Sequence, residues 1–417
     1  MKAYVETYGC TLNQADSRII KGFLEKEGVG LVKEPKKADL IFINSCGVKH
    51  TTERKILYRI NKLRETVDGK IIVCGCLPKI NEKAVRKAGA DLLLDTNSLD
   101  KIPLIVKGEH RNFFSPKHLN KLEMPMVEQG IVAIIPIAEG CLGNCAFCAT
   151  RNARGVLTSY PLKDIRLLVE QAVQNNAREI MITAEDVGFY GWDINTSLPA
   201  LLRELVKIRG TFKMRIGMMD PFAAYKMLPE LLDAFDNPKI YQFVHLPVQS
   251  GSNKVLKAMN RKYSVEQFKK VTEAFRSKFP DITLSTDIIT GFPGETEEDF
   301  QETLNLLRAV KPEMTNISMF YPRPRTPAAR MKKLPTQVVK ERSRICSVLC
   351  RDVSLKASQR FVGREFEAVI LKKGKKGGFV ARLPNYKQAI LEEARIGEKY
   401  KIKVTEAHPN YLKAASV

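Results

Sequence analysis

Short apolar runs punctuate the first hundred residues at Ala3–Val5, Leu40–Ile43, Ile71–Val73 and Leu92–Leu94, with stretches of helical period between them. Unbroken apolar runs of strand length, alternating with helices, read as buried strands, and they predict a small parallel α/β domain over residues 1–110. Residues 110–130 contain Pro116 and Pro125 and little apolar periodicity, and read as a connecting segment. The alternation then resumes. Strands are predicted at Val132–Ile137, Glu179–Thr183, Lys213–Met218, Gln242–His245, Thr283–Ile289 and Thr315–Met319. Helices are predicted at Pro161–Asn175, Ser197–Ile208, Val265–Lys278 and Glu297–Ala309, and a long one over Thr336–Ser358. Six strand–helix units make a (β/α)6 partial barrel over 127–357, with its chemistry at the C-terminal ends of the strands. The period changes again in the tail, 358–417. Phe366–Leu371, Gly378–Arg382, Gln388–Leu391 and Tyr400–Thr405 are short, partly alternating strands divided by Gly and Lys, as in a small antiparallel β-barrel.

Composition agrees with a folded α/β protein of several domains: 417 residues, 44% apolar and 27% charged. The longest apolar stretch, Ile131–Ala138, is interrupted by Pro136 and is far too short for a membrane span. The N-terminus lacks an apolar export segment, so the expectation is a soluble, cytoplasmic protein with no membrane partner. Lys and Arg number 68 against 46 Asp and Glu, a net charge of +22, which points to a polyanionic partner. The excess is concentrated in the tail, where residues 351–417 hold 15 basic and 7 acidic residues, net +8. Lys372, Lys373, Lys375 and Lys376 form a cationic hairpin loop there, either a nucleic-acid contact or a solvated turn.

Nine cysteines without a secretion signal argue for metal or catalytic thiols over disulfides. Cys141, Cys145 and Cys148 lie in a Cys-x3-Cys-x2-Cys loop directly after a strand. Three sulfurs on one loop bind three corners of a cubane iron–sulfur cluster and leave its fourth iron open, whereas structural zinc wants four ligands. Cys10, Cys46 and Cys76 each follow a strand of the first domain, so the sheet brings them to one edge. Cys74 lies two residues before Cys76 on the same strand and shares its face by pleat, which leaves it open as a substitute ligand. Cys346 and Cys350, four apart on a helix, read as core packing.

The Cys141–Cys148 loop, with Phe147 before its last cysteine, resembles the radical S-adenosylmethionine superfamily. The resemblance continues through Thr7-Tyr8-Gly9-Cys10-Thr11-Leu12-Asn13, Asn44-Ser45-Cys46, Gly75-Cys76-Leu77-Pro78, His245–Ser252 and Asp287–Thr296, which together are similar to the methylthiotransferase family. Membership implies an N-terminal domain with a second 4Fe-4S cluster on Cys10, Cys46 and Cys76, a radical barrel with a 4Fe-4S cluster on Cys141, Cys145 and Cys148, and a C-terminal TRAM domain that grips RNA. It implies S-adenosylmethionine as both radical source and methyl donor, together with an external electron donor and sulfur source; no stable protein partner is evident. It also implies cofactor contacts at Thr183, Glu185, Arg215 and Gln249, although many relatives have Gln where this chain has Glu185. Tyr8–Asn13 and Arg151–Gly155 most resemble the archaeal and eukaryotic branch, which forms the 2-methylthio derivative of N6-threonylcarbamoyladenosine beside the anticodon of tRNA. The alternatives are methylthiolation of N6-isopentenyladenosine or of a ribosomal protein, and, from another class, a non-catalytic iron–sulfur RNA-binding protein.

Overall fold

A computed structural model describes residues 1–417. In the first domain five parallel strands form a sheet in the order β2-β1-β3-β4-β5: β1 (Lys2–Thr7), β2 (Gly30–Leu31), β3 (Leu40–Ser45), β4 (Lys70–Gly75) and β5 (Leu92–Asp95). All six residues of β3 are buried, as expected for a parallel strand covered on both faces. The two-residue β2 is too short to carry a pattern and was not expected. The segment after this domain is not a loose linker. Phe113 pairs beside Leu94 at the sheet edge, and Lys121 is buried in the turn Lys121–Glu123.

Six parallel strands form the barrel as two three-stranded sheets: β6 (Val132–Pro136), β9 (Glu179–Thr183) and β10 (Lys213–Ile216), then β11 (Phe243–His245), β12 (Thr283–Thr290) and β13 (Met314–Met319). Bridges at Met214–Ile240 and Met218–His245 join the two, and no pairing joins β13 back to β6, so the barrel is partial. A short antiparallel pair, β7 (Ala138–Glu139) with β8 (Thr158–Ser159), brackets the cysteine loop. The strands are faced by their alternation. Ile180, Ile182, Met214 and Ile216 are sealed against the helices, each burial contributing on the order of 2 kcal/mol, while Met181 and Arg215 face the lumen and stay partly exposed. Cys346 and Cys350, on the helix Thr336–Gln359, are buried in the same core, as their helical spacing predicted.

The tail is a closed five-stranded barrel, β14 (Glu365–Lys373), β15 (Phe379–Arg382), β16 (Gln388–Leu391), β17 (Lys399–Ala407) and β18 (Leu412–Ser416), in the order β14-β15-β16-β18-β17. Its pairs are antiparallel except the one between β16 and β18, which is parallel. It docks at the starts of the large barrel's strands. Arg382 ion-pairs with Glu179, the first residue of β9, at 3.0 Å, and the Gln242 amide donates to the Pro384 carbonyl at 3.0 Å. The cysteine loop lies beyond the other end of β6. No helix is long and apolar enough to cross a membrane.

Candidate functional site

The loop after β7 turns at Gly140 (φ +67°), where a side chain would collide with the Val156 carbonyl. The loop is pinned from both sides: the Ala146 amide donates to Met259 O at 3.0 Å, and the Asn260 side chain to Asn144 O at 2.6 Å. Each sulfur receives a donor. The Gly143 amide points at Cys141 Sγ (3.2 Å), the Thr150 amide at Cys148 Sγ (3.4 Å) and the Arg261 guanidinium at Cys145 Sγ (2.9 Å). Arg261 is itself buried, paired with Asp220 at 2.9 Å and bonded to Tyr263 Oη at 3.1 Å. Burial pushes the Cys141 and Cys145 thiols up, and Arg261 works against that at Cys145. Three sulfurs with N–H donors already aimed at them fit a cluster held as thiolates, with one iron left for a ligand of another kind.

The second group of thiols gathers at the carboxyl ends of β1, β3 and β4. Cys10 precedes the helix Thr11–Lys26, Cys46 follows β3, and Cys76 precedes the helical turn Leu77–Ile80. Asn13 organises them. Its amide nitrogen donates to Tyr8 O (2.8 Å) and Ser45 O (2.9 Å), while its Oδ1 stands 4.0 Å from Cys10 Sγ and 3.9 Å from Cys76 Sγ. Gly9, at φ +110°, lies against Cys46, and a Cβ there would stand 2.7 Å from the Cys46 Cβ and 3.3 Å from its sulfur. Cys10 is exposed whereas Cys46 and Cys76 are buried, and burial pushes the Cys76 thiol up to about 12. Three strand-end thiols with one side open also fit a cluster. Cys74 does not join them. It is fully buried with Ile19, Ile72 and Leu94 in the domain core, because the chain turns after Gly75 (φ +93°) and the pleat no longer relates the two cysteines. Cys74 is therefore corrected from possible ligand to core residue.

Between the two triads lies a sealed ionic network. Arg154 meets Asp16 (2.6 Å), Glu139 (2.9 Å) and Glu185 (2.9 Å), and Lys121 meets Asp16 and Glu139, each at 2.7 Å. The side chains of Arg154, Lys121, Asp16 and Glu139 are at most 2% exposed. Burial works against ionising Glu139, yet Lys121 and Arg154 hold its carboxyl below its ordinary value. Burial raises Glu185 to about 8 in spite of Arg154. Sequence reasoning missed this network. Asn13 stands in the motif around Cys10 with Asp16 shortly after it, Arg154 lies in the Arg151–Gly155 stretch, and Glu139 comes two residues before Cys141, but nothing in their spacing announces that they share one interior.

Of the residues the resemblance put against the cofactor, Thr183 ends β9, buried, its carbonyl accepting from the Ile137 amide at 2.9 Å. Gln249 follows β11 in a left-handed conformation (φ +71°), its amide donating to Asp287 O at 2.8 Å. A non-glycine residue held there stores strain, which the flanking β12 contacts impose. Glu185 belongs to the network above. Arg215 lies over the rings of Phe243 (5.2 Å) and Tyr386 of the tail (6.0 Å), at the seam between the two barrels. Lys372, Lys373, Lys375 and Lys376 stand exposed at the β14–β15 turn, and none makes an ion pair within the chain.

Comparison with known proteins follows the same three-part division. The Radical SAM superfamily matches residues 135–307, the TRAM domain matches 359–417, and Uncharacterized protein family UPF0004 matches 2–95. The chain is 41% identical over 420 residues to the probable threonylcarbamoyladenosine tRNA methylthiotransferase of Pyrococcus horikoshii, covering 99% of this chain and 98% of that one. It is 34% identical over 432 residues to the threonylcarbamoyladenosine tRNA methylthiotransferase of Homo sapiens, covering 100% of this chain and 74% of the human one. Among solved structures it is similar in fold to the radical S-adenosylmethionine methyltransferase TsrM from Kitasatospora setae, with TM-score 0.58 and 13% identity over 91% of this chain and 79% of the other. With a three-cysteine loop at the mouth of a partial barrel, a basic TRAM tail and full-length relatives at these identities, the chain belongs to the threonylcarbamoyladenosine tRNA methylthiotransferase family of radical S-adenosylmethionine enzymes.

Proposed function

We propose that this enzyme replaces the C2 hydrogen of N6-threonylcarbamoyladenosine, beside the anticodon of tRNA, with a methylthio group. Cys141, Cys145 and Cys148 hold the cluster that binds S-adenosylmethionine, and Cys10, Cys46 and Cys76 hold a second 4Fe-4S cluster. S-adenosylmethionine bound at the first cluster supplies the radical chemistry that opens an unactivated C–H bond, which acid–base groups alone do not reach. This chain's own residues do the holding. Gly143, Thr150 and Arg261 aim N–H groups at the loop sulfurs, Thr183 and Gln249 offer polar groups at the barrel mouth, and the tail lysines meet the phosphate backbone. An electron donor and a sulfur source come from outside the chain.

The observation that carries the reading is Arg154. One guanidinium touches Cys76 of the second triad and Glu139 of β7, and Cys76 itself packs in one buried cluster with Ala149, the residue after Cys148, which supports one shared site between the domains. Two measurements test it. Anaerobic reconstitution is expected to load about eight irons per chain, and about four after either triad is changed to Ala; about four in the intact protein would remove the second cluster. Mass analysis of tRNA nucleosides from a strain lacking this gene is expected to show N6-threonylcarbamoyladenosine without its 2-methylthio derivative. Loss of methylthiolated N6-isopentenyladenosine instead would move the enzyme to that branch.

A further inference from the structure

Arg154 makes a contact that an interdomain clamp does not require. Its terminal nitrogens bind the carboxylates of Asp16 and Glu139, and Nε lies 2.9 Å from Glu185 Oε1, yet the Nε–H also donates to Cys76 Sγ at 3.3 Å, and Nη2 donates to Asn13 Oδ1 at 2.7 Å. That oxygen stands 3.9 Å from Cys76 Sγ and 4.0 Å from Cys10 Sγ. One buried cation therefore reaches a sulfur of the second triad directly and fixes the Asn13 side chain that stands beside Cys10 and Cys76. Arg154 comes from the helix Thr150–Arg154, which follows the first triad, so the barrel delivers a positive charge to the cysteines of the other domain.

Resting on the reading that Cys10, Cys46 and Cys76 hold a cluster, we propose that Arg154 is the positioning residue that sets the reduction potential of that cluster, through its N–H bond to Cys76 and its fixed charge. The potential of an iron–sulfur cluster depends on net charge, hydrogen bonds to sulfur and exposure. Reduction adds negative charge, so a buried guanidinium donating to a ligand sulfur favours the reduced form and raises the potential. Its geometry is over-determined: Asp16 on the N-terminal domain holds Nη2, Glu139 on β7 holds Nη1, and Glu185 after β9 lies against Nε.

The test uses the full chain carrying Cys141→Ala, Cys145→Ala and Cys148→Ala, in which the second cluster is the sole one, titrated potentiometrically with detection by electron paramagnetic resonance. Arg154→Gln is expected to lower the midpoint potential, and Arg154→Lys, which keeps the charge and loses the planar Nε donor, to fall between Gln and the parent. An unchanged midpoint in Arg154→Gln overturns the inference. Should the Gln variant take up no iron, the Lys variant decides, a midpoint equal to the parent's being the overturning result. With Cys10, Cys46 and Cys76 changed to Ala instead, Arg154→Gln is expected to leave the loop cluster's potential in place, and an equal shift there would mean general loosening and overturn the proposal. A parent that binds no iron would overturn the second-cluster reading itself, and the inference with it.

Discussion

At the scale of single residues, every sulfur of the Cys141–Cys148 loop receives an N–H donor, whereas in the second triad only Cys76 does, from Arg154. Cys145 takes the buried Arg261 and sits at the barrel mouth, whereas Cys46 belongs to the first domain, packed against Gly9. On the proposed assignment of Cys145 to the cluster that binds S-adenosylmethionine, Cys145→Ala is expected to abolish deoxyadenosine release under reducing conditions. Cys46→Ala is expected to keep some release and yield no methylthio product, measured by chromatography of the same reaction. Full product from the Cys46 variant would end that division of labour. The Cys141–Cys148 loop was legible at this scale because its spacing is local, and the shared edge of Cys10, Cys46 and Cys76 because each follows a strand of one parallel sheet. The surroundings of Glu185 and Arg215 were not legible: the family resemblance set both near the cofactor, and the partners they have here, Arg154 and the tail's Tyr386, come from remote parts of the chain.

Secondary-structure elements bring in helix caps and turns, and two expectations belong here. The helix Glu297–Val310 starts with a capping box in which Thr296 and Asp299 exchange hydrogen bonds, and Lys254 adds an ion pair at 2.7 Å. Burial opposes ionisation of Asp299, but Lys254, the Thr296 amide and Ser252 outweigh it and hold the carboxyl at about 2. The folded value is depressed, so this stabilisation is fully present above the ordinary value of 3.8 and is lost as pH falls towards about 2. Asp299→Asn is expected to flatten that part of the stability curve, read by urea unfolding of the apo-protein across pH; an unaltered curve would show that the acid loss lies elsewhere. At the β14–β15 turn, neutralising Lys372, Lys373, Lys375 and Lys376 is expected to weaken binding to all tRNAs alike and to lower the salt slope by up to about one unit for each phosphate no longer neutralised. Equal affinity and equal slope in filter-binding titrations would leave this loop a solvated turn. Strands and long helices were legible because apolar period reports burial; the pairs β2 and β7–β8 were not, being too short to show a period.

For the whole molecule, the sealed network of Arg154, Lys121, Asp16, Glu139 and Glu185 joins the first domain to the barrel. Lys121→Met leaves Asp16 and Glu139 sharing a single cation, and is expected to cost about 3–5 kcal/mol in denaturant unfolding of the apo-protein; a change within about 0.5 kcal/mol would mean that the network is not a structural joint. By itself the sequence determined the order of the three parts, the strands that carry them, the three-cysteine loop and the basic tail, since each is written in local period, spacing or composition. Only the tertiary structure decided that Cys74 belongs to the core, that β16 and β18 close the tail in parallel, that this tail docks at the strand starts, and that Lys121 and Arg154 are buried between the triads. Those outcomes depend on which distant surfaces meet. A lysine in a segment read as a linker, or an arginine after a cysteine loop, carries no local sign of the carboxylates that make its burial tolerable until the chain has packed.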